Sequence, residues 1–586
     1  MEEKLKSGDL RTITAHAAPA GFVFGQWTGD ISHLTDPSSS TTIVTMPAED
    51  ITVAANYNIF HEEWVELLSL STNSPIGAYN STFDPSITSS SGQYKWIVDG
   101  IEYLSNGISI TLDTGAVKSV SLFGQGSCKI TGIDIGYDSI IGTVDVSNPA
   151  FYYCTNFNLG GCYAVDVLVL PTTHFSPLVN LNLYLGNVIG ELDLSHFSSL
   201  NYASISIGQK YFAEGVYGNS ITGIKFAPVI TGTIKYLSIG VMNGVTSLDL
   251  SMLNKWSDLE GNNAGMMYIQ RMPVSGILFP TSITGIMRTI SISKLYSYNG
   301  AMDLTGFSNF NGTGSMIQIS YISASDFLFT ETMSGSLGYF DIHDCVSSNG
   351  TLDLSGVIIA NDCSINIYNL PLLSTLLLNN MPTGNISNLY ISNVGCSNTL
   401  NLNLLANSTD ELEVVILNAP NISQISMPVS ISGKIQWFSI DNTSITFLDI
   451  AWLTNVNTEA TIKVLNCNYL SNVITPVRIY GNVYQFEFSQ CPLLPYISML
   501  IFDEIFSIND ADISIWNCAW SAAKVNQALY ELSTWIPLIY IADACCIHFE
   551  NNLGGNDNAK PDTTSGGYNG IAAKAILGTF IETATA

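Results

Sequence analysis

GTLDLSG, residues 350–356, decides how the chain is read, because six variants of it recur: GTVDVS (142–147), GELDLS (190–195), TSLDLS (246–251), AMDLTG (301–306), NTLNLNL (398–404) and TFLDIA (446–451). Their central residues are Asp145, Asp193, Asp249, Asp303, Asp353, Asn401 and Asp449, spaced 48, 56, 54, 50, 48 and 48 residues apart. An apolar-x-apolar run closed by a small polar residue is a strand signal, and its return about every fifty residues marks a repeat architecture. Weaker copies lie between: LNLYLGN (181–187), LSTLLLNN (373–380), LYISN (389–393), LEVVILN (412–418), WFSIDN (437–442) and IKVLNCN (462–468). They halve the period to about 24 residues per coil. A short strand cannot bury its inward side chains alone, so successive coils must stack.

Coils of this length, with L-x-L strands followed by Asn or Cys, resemble leucine-rich repeats. The resemblance implies that Asn187, Asn380, Asn418 and Asn466 satisfy backbone groups at the turns, with Cys396 and Cys467 close by. The recurring aspartates are read as part of the repeat and not as catalytic carboxylates. Helix signals are nearly absent, so the convex side is expected to be extended or 3₁₀. The expected fold is mainly β: a leucine-rich-repeat-like β-solenoid over 126–520, preceded by two small β-domains and closed by a short α/β cap.

Composition narrows the function. Of 586 residues only 11% are charged, and 19 Lys plus Arg against 48 Asp plus Glu give a net charge of −29. So few cations neutralise few phosphates, which argues against nucleic acid and anionic membrane as partners. The first residues lack the apolar run of a secretory signal, and no stretch is long and apolar enough to insert in a membrane. The eleven cysteines are odd in number, widely spaced and without a CxxC pair. They are read as reduced, mostly buried thiols.

Three segments flank the repeat. Residues 1–60 hold GFVFGQWTGD (21–30) and MPAEDITVAANY (46–57). On Gly21, Phe24, Trp27, Gly29, Asp30 and that ending, residues 11–58 resemble the later part of a divergent internalin-B-type repeat module. The opening strand-turn-strand of such modules is expected to be missing, leaving an open edge that would let Trp27, Phe22 and Phe24 anchor the chain to a partner. Residues 61–125, with GQYKWIVDGIEY and GISITLDTGAVKSVSLFG, alternate with period two and resemble immunoglobulin-like or PKD-type sandwiches. In the tail, 521–586, Ser521 is read as the N-cap of a first helix (520–535), PLIYIADACCIHF as a buried strand and GYNGIAAKAILG (567–578) as a second helix. This tail resembles a closing segment of virion and prophage proteins from phages of Bacteroidetes-type hosts.

Chemical motifs are sparse. The seven histidines show no HExxH spacing, and no nucleophile elbow, P-loop or dinucleotide fingerprint is present. DIHDC (341–345) is read as hydrogen-bonded turn chemistry, and the acidic run with Asp503, Glu504, Asp510 and Asp512 as a solvated face, since it lacks an EF-hand glycine and distal glutamate. No cofactor, metal or catalytic centre is expected. The expectation is a non-enzymatic phage virion protein, a fibre or appendage of head or tail assembled in the host cytoplasm. Its expected partners are other virion proteins through the N-terminal module, a host surface glycan or protein, and further copies of itself. The alternative is a bacterial cell-surface leucine-rich-repeat adhesin.

Overall fold

The computed structural model describes the chain outside residues 1–5, 20–21, 60–62, 74–81, 105–107, 112–116, 126–127, 136–139, 162–163, 209–219, 331–332, 334, 379–383, 398, 409–410, 502–511, 536–545, 549–560, 562, 578–582 and 586. It is mainly β, with a solenoid of about fourteen turns, small β-domains before it and a short helical end. Each coil lays down two strands. A longer one joins a continuous parallel ladder, in which Leu178–Tyr184 pairs with Leu200–Gly208, that with Ile234–Gly240, and so on through Val483–Ser489 and Asp512–Trp516. A shorter one, such as Ser247–Asp249 or Thr351–Asp353, joins an interrupted parallel sheet on another side. The LDLS runs are these short strands, while LYISN, LEVVILN and WFSIDN belong to long ones. The fifty-residue period is therefore two coils, because the Asp-bearing version of the short strand occurs in alternate coils.

Period-two alternation decides which side chains enter the core. From Leu181 and Leu183 to Phe486 and Phe488, the inward pair of each long strand is almost fully buried, as in Phe340 and Ile342 or Phe438 and Ile440. Parallel strands in register stack these pairs directly on one another, so a single apolar core runs from Leu67 to Leu577.

Two corners close each coil. At the first, the seven repeat residues make one and the same turn: the side-chain oxygen of Asp145, Asp193, Asp249, Asp303, Asp353, Asn401 and Asp449 accepts from the backbone N–H two residues on, at 2.8 to 3.0 Å. This Asx turn reverses the chain locally and leaves the next residue, such as Leu250, Leu354 or Leu402, facing inward. The amide three residues later then returns to that residue's carbonyl, as Leu253 N does to Leu250 O. The leading glycine of the motif serves two ends. Gly190 has φ of 101°, whereas a Cβ on Gly350 would sit 1.6 Å from Ser325 O of the preceding coil.

At the second corner, the residue after each long strand's last outward position is left-handed in twelve coils, from Val241 to Asn517, with φ between 51° and 59°. Such a conformation costs a non-glycine residue roughly 1–2 kcal/mol, least for Asn. Asn369, Asn393, Asn418, Asn442, Asn466 and Asn517 accordingly fill six of these places. Their amides also ladder between coils: Asn393 Nδ2 donates to Asn369 Oδ1 at 2.8 Å and Asn442 Nδ2 to Asn418 Oδ1 at 3.2 Å, each across 24 residues. Asn418 and Asn466 are thus turn residues as read from the sequence. Asn187 is not left-handed, and Asn380 lies outside the described residues.

The segment read as a small sandwich, 61–125, shares strand pairing with the solenoid. Trp64–Asn73 and Val117–Gln125 pair antiparallel, and Trp64–Asn73 also receives Ile140–Asp145 of the first coil. Ser86–Ser91 covers the opening edge of the long ladder by pairing antiparallel with Lys129–Asp134. The physical reason is the exposed strand edge of a first coil, which must be covered. At the far end, α1 (Ala522–Trp535) and α2 (Gly570–Leu577) close the core, with Val525, Leu529 and Leu532 buried. Cys546–His548 and Thr583–Thr585 extend the long ladder into the tail, the second of them unforeseen from the sequence. PLIYIADACCIHF otherwise lies outside the described residues up to Cys546.

Candidate functional site

The outward positions of the long strands form one face, three rows wide, whose members come from successive coils. In register along one row stand Tyr236, Met266, Thr289, Met316, Tyr339 and Ser364. Serines and threonines between the rings, such as Ser238, Ser439 and Thr461, are covered by their larger neighbours. Aromatic side chains therefore stand out of a rigid, hydrogen-bonded floor. Tyr236 and Tyr268 lie 5.5 Å apart, and Tyr368 and Tyr390 meet edge to face at 5.9 Å.

DIHDC lies on this face. Asp341 is buried, and its Oδ2 accepts from Gln318 Nε2 at 3.2 Å and Tyr339 OH at 3.4 Å, with His343 Nε2 at 3.7 Å. Burial pushes the Asp341 carboxyl up, against the opposing pull of His343. His343 Nδ1 donates to Asp344 Oδ2 at 3.0 Å, and its ring stacks on Tyr368 at 4.8 Å and 5°. Burial also works to raise Asp344, but hydrogen bonds from Asn369, His343 and Tyr321 outweigh it and hold the carboxyl low. The cluster is bonded mainly within itself and to its neighbours, while Asp341 Oδ1 is buried without a hydrogen-bond partner. Among the described residues no group of three or more His, Cys, Asp or Glu side chains is arranged to hold a metal ion.

A second patch lies nearer the C-terminal end. Trp437 is 39% exposed, and Lys463 Nζ sits 5.7 Å from its ring centre. Lys463 reaches Glu487 at 3.9 Å, and Glu487 accepts from Trp516 Nε1 at 3.2 Å. Gln485 Nε2 donates to both Glu487 (3.2 Å) and Asp512 (3.5 Å). Burial pushes the Asp512 carboxyl up, with His548 and Lys463 opposing and Glu487 reinforcing. Of the acidic run, Asp512 thus belongs to the sheet face, while Asp503, Glu504 and Asp510 lie outside the described residues. A cleft of about 800 Å³ is lined by Asn388, Glu411, Glu413, Lys434, Gln436 and Asn455, among others; Trp437, the register partner of Glu413, adjoins this lining without being part of it.

The anchoring candidates sit elsewhere. Leu10–Thr14 pairs with Thr41–Thr45 and Phe22–Gly29 with Val53–Ile59, so the lead-in that seemed too short to open the module does supply a strand. Trp27, Leu34 and Val44 form a separate small core. Trp27 is 6% exposed and donates from Nε1 to Ser39 O at 2.9 Å, so its indole faces the module's interior. Phe24 packs edge-on against it at 5.8 Å, and Phe22 is exposed. Of the trio Phe22 is exposed, Phe24 half-buried and Trp27 buried. The face residues of the solenoid were not singled out from the sequence, although their signal is there: in WFSIDN the outward places of the strand hold Trp437, Ser439 and Asp441.

Cys128, Cys154, Cys345, Cys363, Cys396, Cys467, Cys491 and Cys518 are buried and in no disulfide. Burial pushes Cys154, Cys345 and Cys363 up to about 12 and Cys396 to about 11. None of these four is poised as a nucleophile, which requires the thiolate. Among the described residues no helix is long and apolar enough to cross a membrane.

Compared with curated proteins and with solved structures, the chain has no significant match. The divergent InlB B-repeat domain family matches residues 2–59, the stretch that holds the two strand pairs and the core around Trp27. The N-terminal part of the chain is therefore a divergent InlB B-repeat domain.

Proposed function

We propose that the chain is a non-enzymatic recognition and spacer protein of a phage virion, a fibre or appendage of head or tail, that offers the long-strand face to a host surface. The observation that carries this reading is the face itself, with tyrosine, tryptophan and polar side chains in register on a floor of laddered strands. Rigid aromatic and polar groups bind with little entropy to lose, which suits recognition. The coils are read as a divergent leucine-rich-repeat type, a reading supported by the 24-residue spacing and the Asn corners. Free, buried thiols fit folding in a reducing cytoplasm before particle assembly. The B-repeat domain would attach the chain to a neighbouring virion protein or to another copy.

The test is mass spectrometry of density-purified particles from the source culture, alongside the envelope fraction. Peptides of this chain should band with virions. Peptides confined to the envelope would overturn the virion reading in favour of a cell-surface adhesin, which the B-repeat domain also suits. Deleting residues 1–59 should abolish incorporation, and normal occupancy of the truncated chain would place attachment elsewhere. Incubation with host polysaccharides should leave their chain lengths unchanged, and released short oligosaccharides would refute the non-enzymatic part.

A further inference from the structure

We infer that the cleft beside Trp437 binds a neutral oligosaccharide laid across the coils. The inference rests on the recognition reading above and names the ligand class. The lining comes from four successive coils, represented by Asn388, Glu413, Gln436 and Asn455. Neighbouring strands stand about 4.8 Å apart, close to the advance of one sugar ring, so each coil can address one ring of an extended chain. The volume of about 800 Å³ falls within the range of ligand sites.

The chemistry of the walls points the same way. Carboxylates and amides offer paired acceptors and donors, the pattern that adjacent sugar hydroxyls satisfy. Trp437 is outside the lining itself, but as the register partner of Glu413 it offers, next to the cleft, a partly exposed ring whose face away from Lys463 can stack on the C–H face of a sugar. A protein partner would need an apolar centre, which these walls lack. Glu411 and Glu413 against Lys434, in a chain of net charge −29, repel polyanions, which leaves neutral glycans.

The cleft is also preformed. Glu411–Ala419 and Lys434–Thr443 are hydrogen-bonded in parallel register, with a shift between Leu412 and Glu413 that sets Gln436 apart from the regular ladder. Gln436 is half-buried, while Lys434 and Asn455 are exposed. Little of the wall needs ordering on binding.

The experiment is calorimetric titration of the full chain with maltotetraose, cellotetraose, mannotetraose and tetra-N-acetylchitotetraose, with tetragalacturonate as the acidic control. At least one neutral probe should bind and the acidic one should not. Trp437→Ala should weaken binding about threefold or more, the loss expected when one aromatic stacking contact is removed. Tyr469→Ala, an exposed ring away from the cleft, should leave it unchanged. Near-ultraviolet circular dichroism checks that Trp437→Ala is folded. Independently, Glu413→Gln should raise affinity for tetragalacturonate, since it removes negative charge from the cleft wall. No binding of any neutral probe at about 10 mM, or Trp437→Ala and Glu413→Gln both without effect, overturns the inference. Adhesion of the labelled chain to host cells is measured in parallel: cells bound but no tetrasaccharide bound removes this inference alone, and neither bound removes the recognition reading as well.

Discussion

Replacing Asp353 with alanine tests whether the signature residue of the repeat is structural. Asp353 Oδ1 accepts from Ser355 N at 2.9 Å, the next side chain, Leu354, is fully buried, and Val357 N closes the corner on Leu354 O at 3.1 Å. Asp353 and Ser355 are both half-buried, so water can partly replace the lost acceptor. The expected cost is about 1 kcal/mol, as for a lost helix cap or one net hydrogen bond. Asp353→Asn keeps a carbonyl oxygen in place, and Asn401 makes the same bond to Asn403 N at 2.9 Å in this very chain. Its cost should be no more than about 0.3 kcal/mol, within the spread among good capping residues. Because a solenoid's stability is a sum of coil terms, amide hydrogen exchange is the sharper assay. Protection at Val357 should fall about fivefold in Asp353→Ala and hardly at all in Asp353→Asn. Equal losses in both variants would mean that charge, not the acceptor, is what the position keeps, and the structural account of all seven residues would fail.

Three further outcomes follow from the same geometry. Hydrogen bonds from Ser195 and Lys225 outweigh burial and hold the Asp193 carboxyl at about 2, below the usual 3.8; its stabilisation is present above the unfolded value and lost as pH falls from about 4 through about 2. Urea midpoints of wild type should therefore drop more steeply over that window than those of Asp193→Asn, and parallel profiles would refute the assignment. Iodoacetamide at pH 8 should leave Cys154, Cys345, Cys363 and Cys396 unmodified in the native chain and label them in urea, as peptide mass spectrometry reads; labelling in the folded protein would contradict their burial. Deleting residues 521–586 should remove α1 and α2 from the last coils, together with the contact in which Glu531 accepts from Met499 N at 2.7 Å. Aggregation is expected by light scattering, and a monomer of unchanged melting temperature would show that the tail is no cap.

What could be read from the sequence was what depends on near neighbours in the chain. An Asx turn needs only a side-chain oxygen and an amide two residues away, so the corner at Asp353 is written locally. Period-two alternation likewise names the inward residues, which is why Leu352 and Leu354 flank that aspartate. The free, buried thiols and the B-repeat ending were legible for the same reason. Tertiary structure decided the rest, because it depends on the register between coils some 24 residues apart. That register sorts the two strands of each coil into a long continuous ladder and a short interrupted one. It holds Lys294 and Tyr321 in left-handed corners that no local preference would select. Tertiary pairing also joins Trp64–Asn73 to the first coil, and the N-terminal module's own strand pairs bury Trp27 in its separate core, because exposed strand edges and large rings must both be covered. The same register assembles Asp341, His343 and Tyr368 on one face, and it sets Trp437 beside Glu413, residues whose nearness is a property of stacked coils.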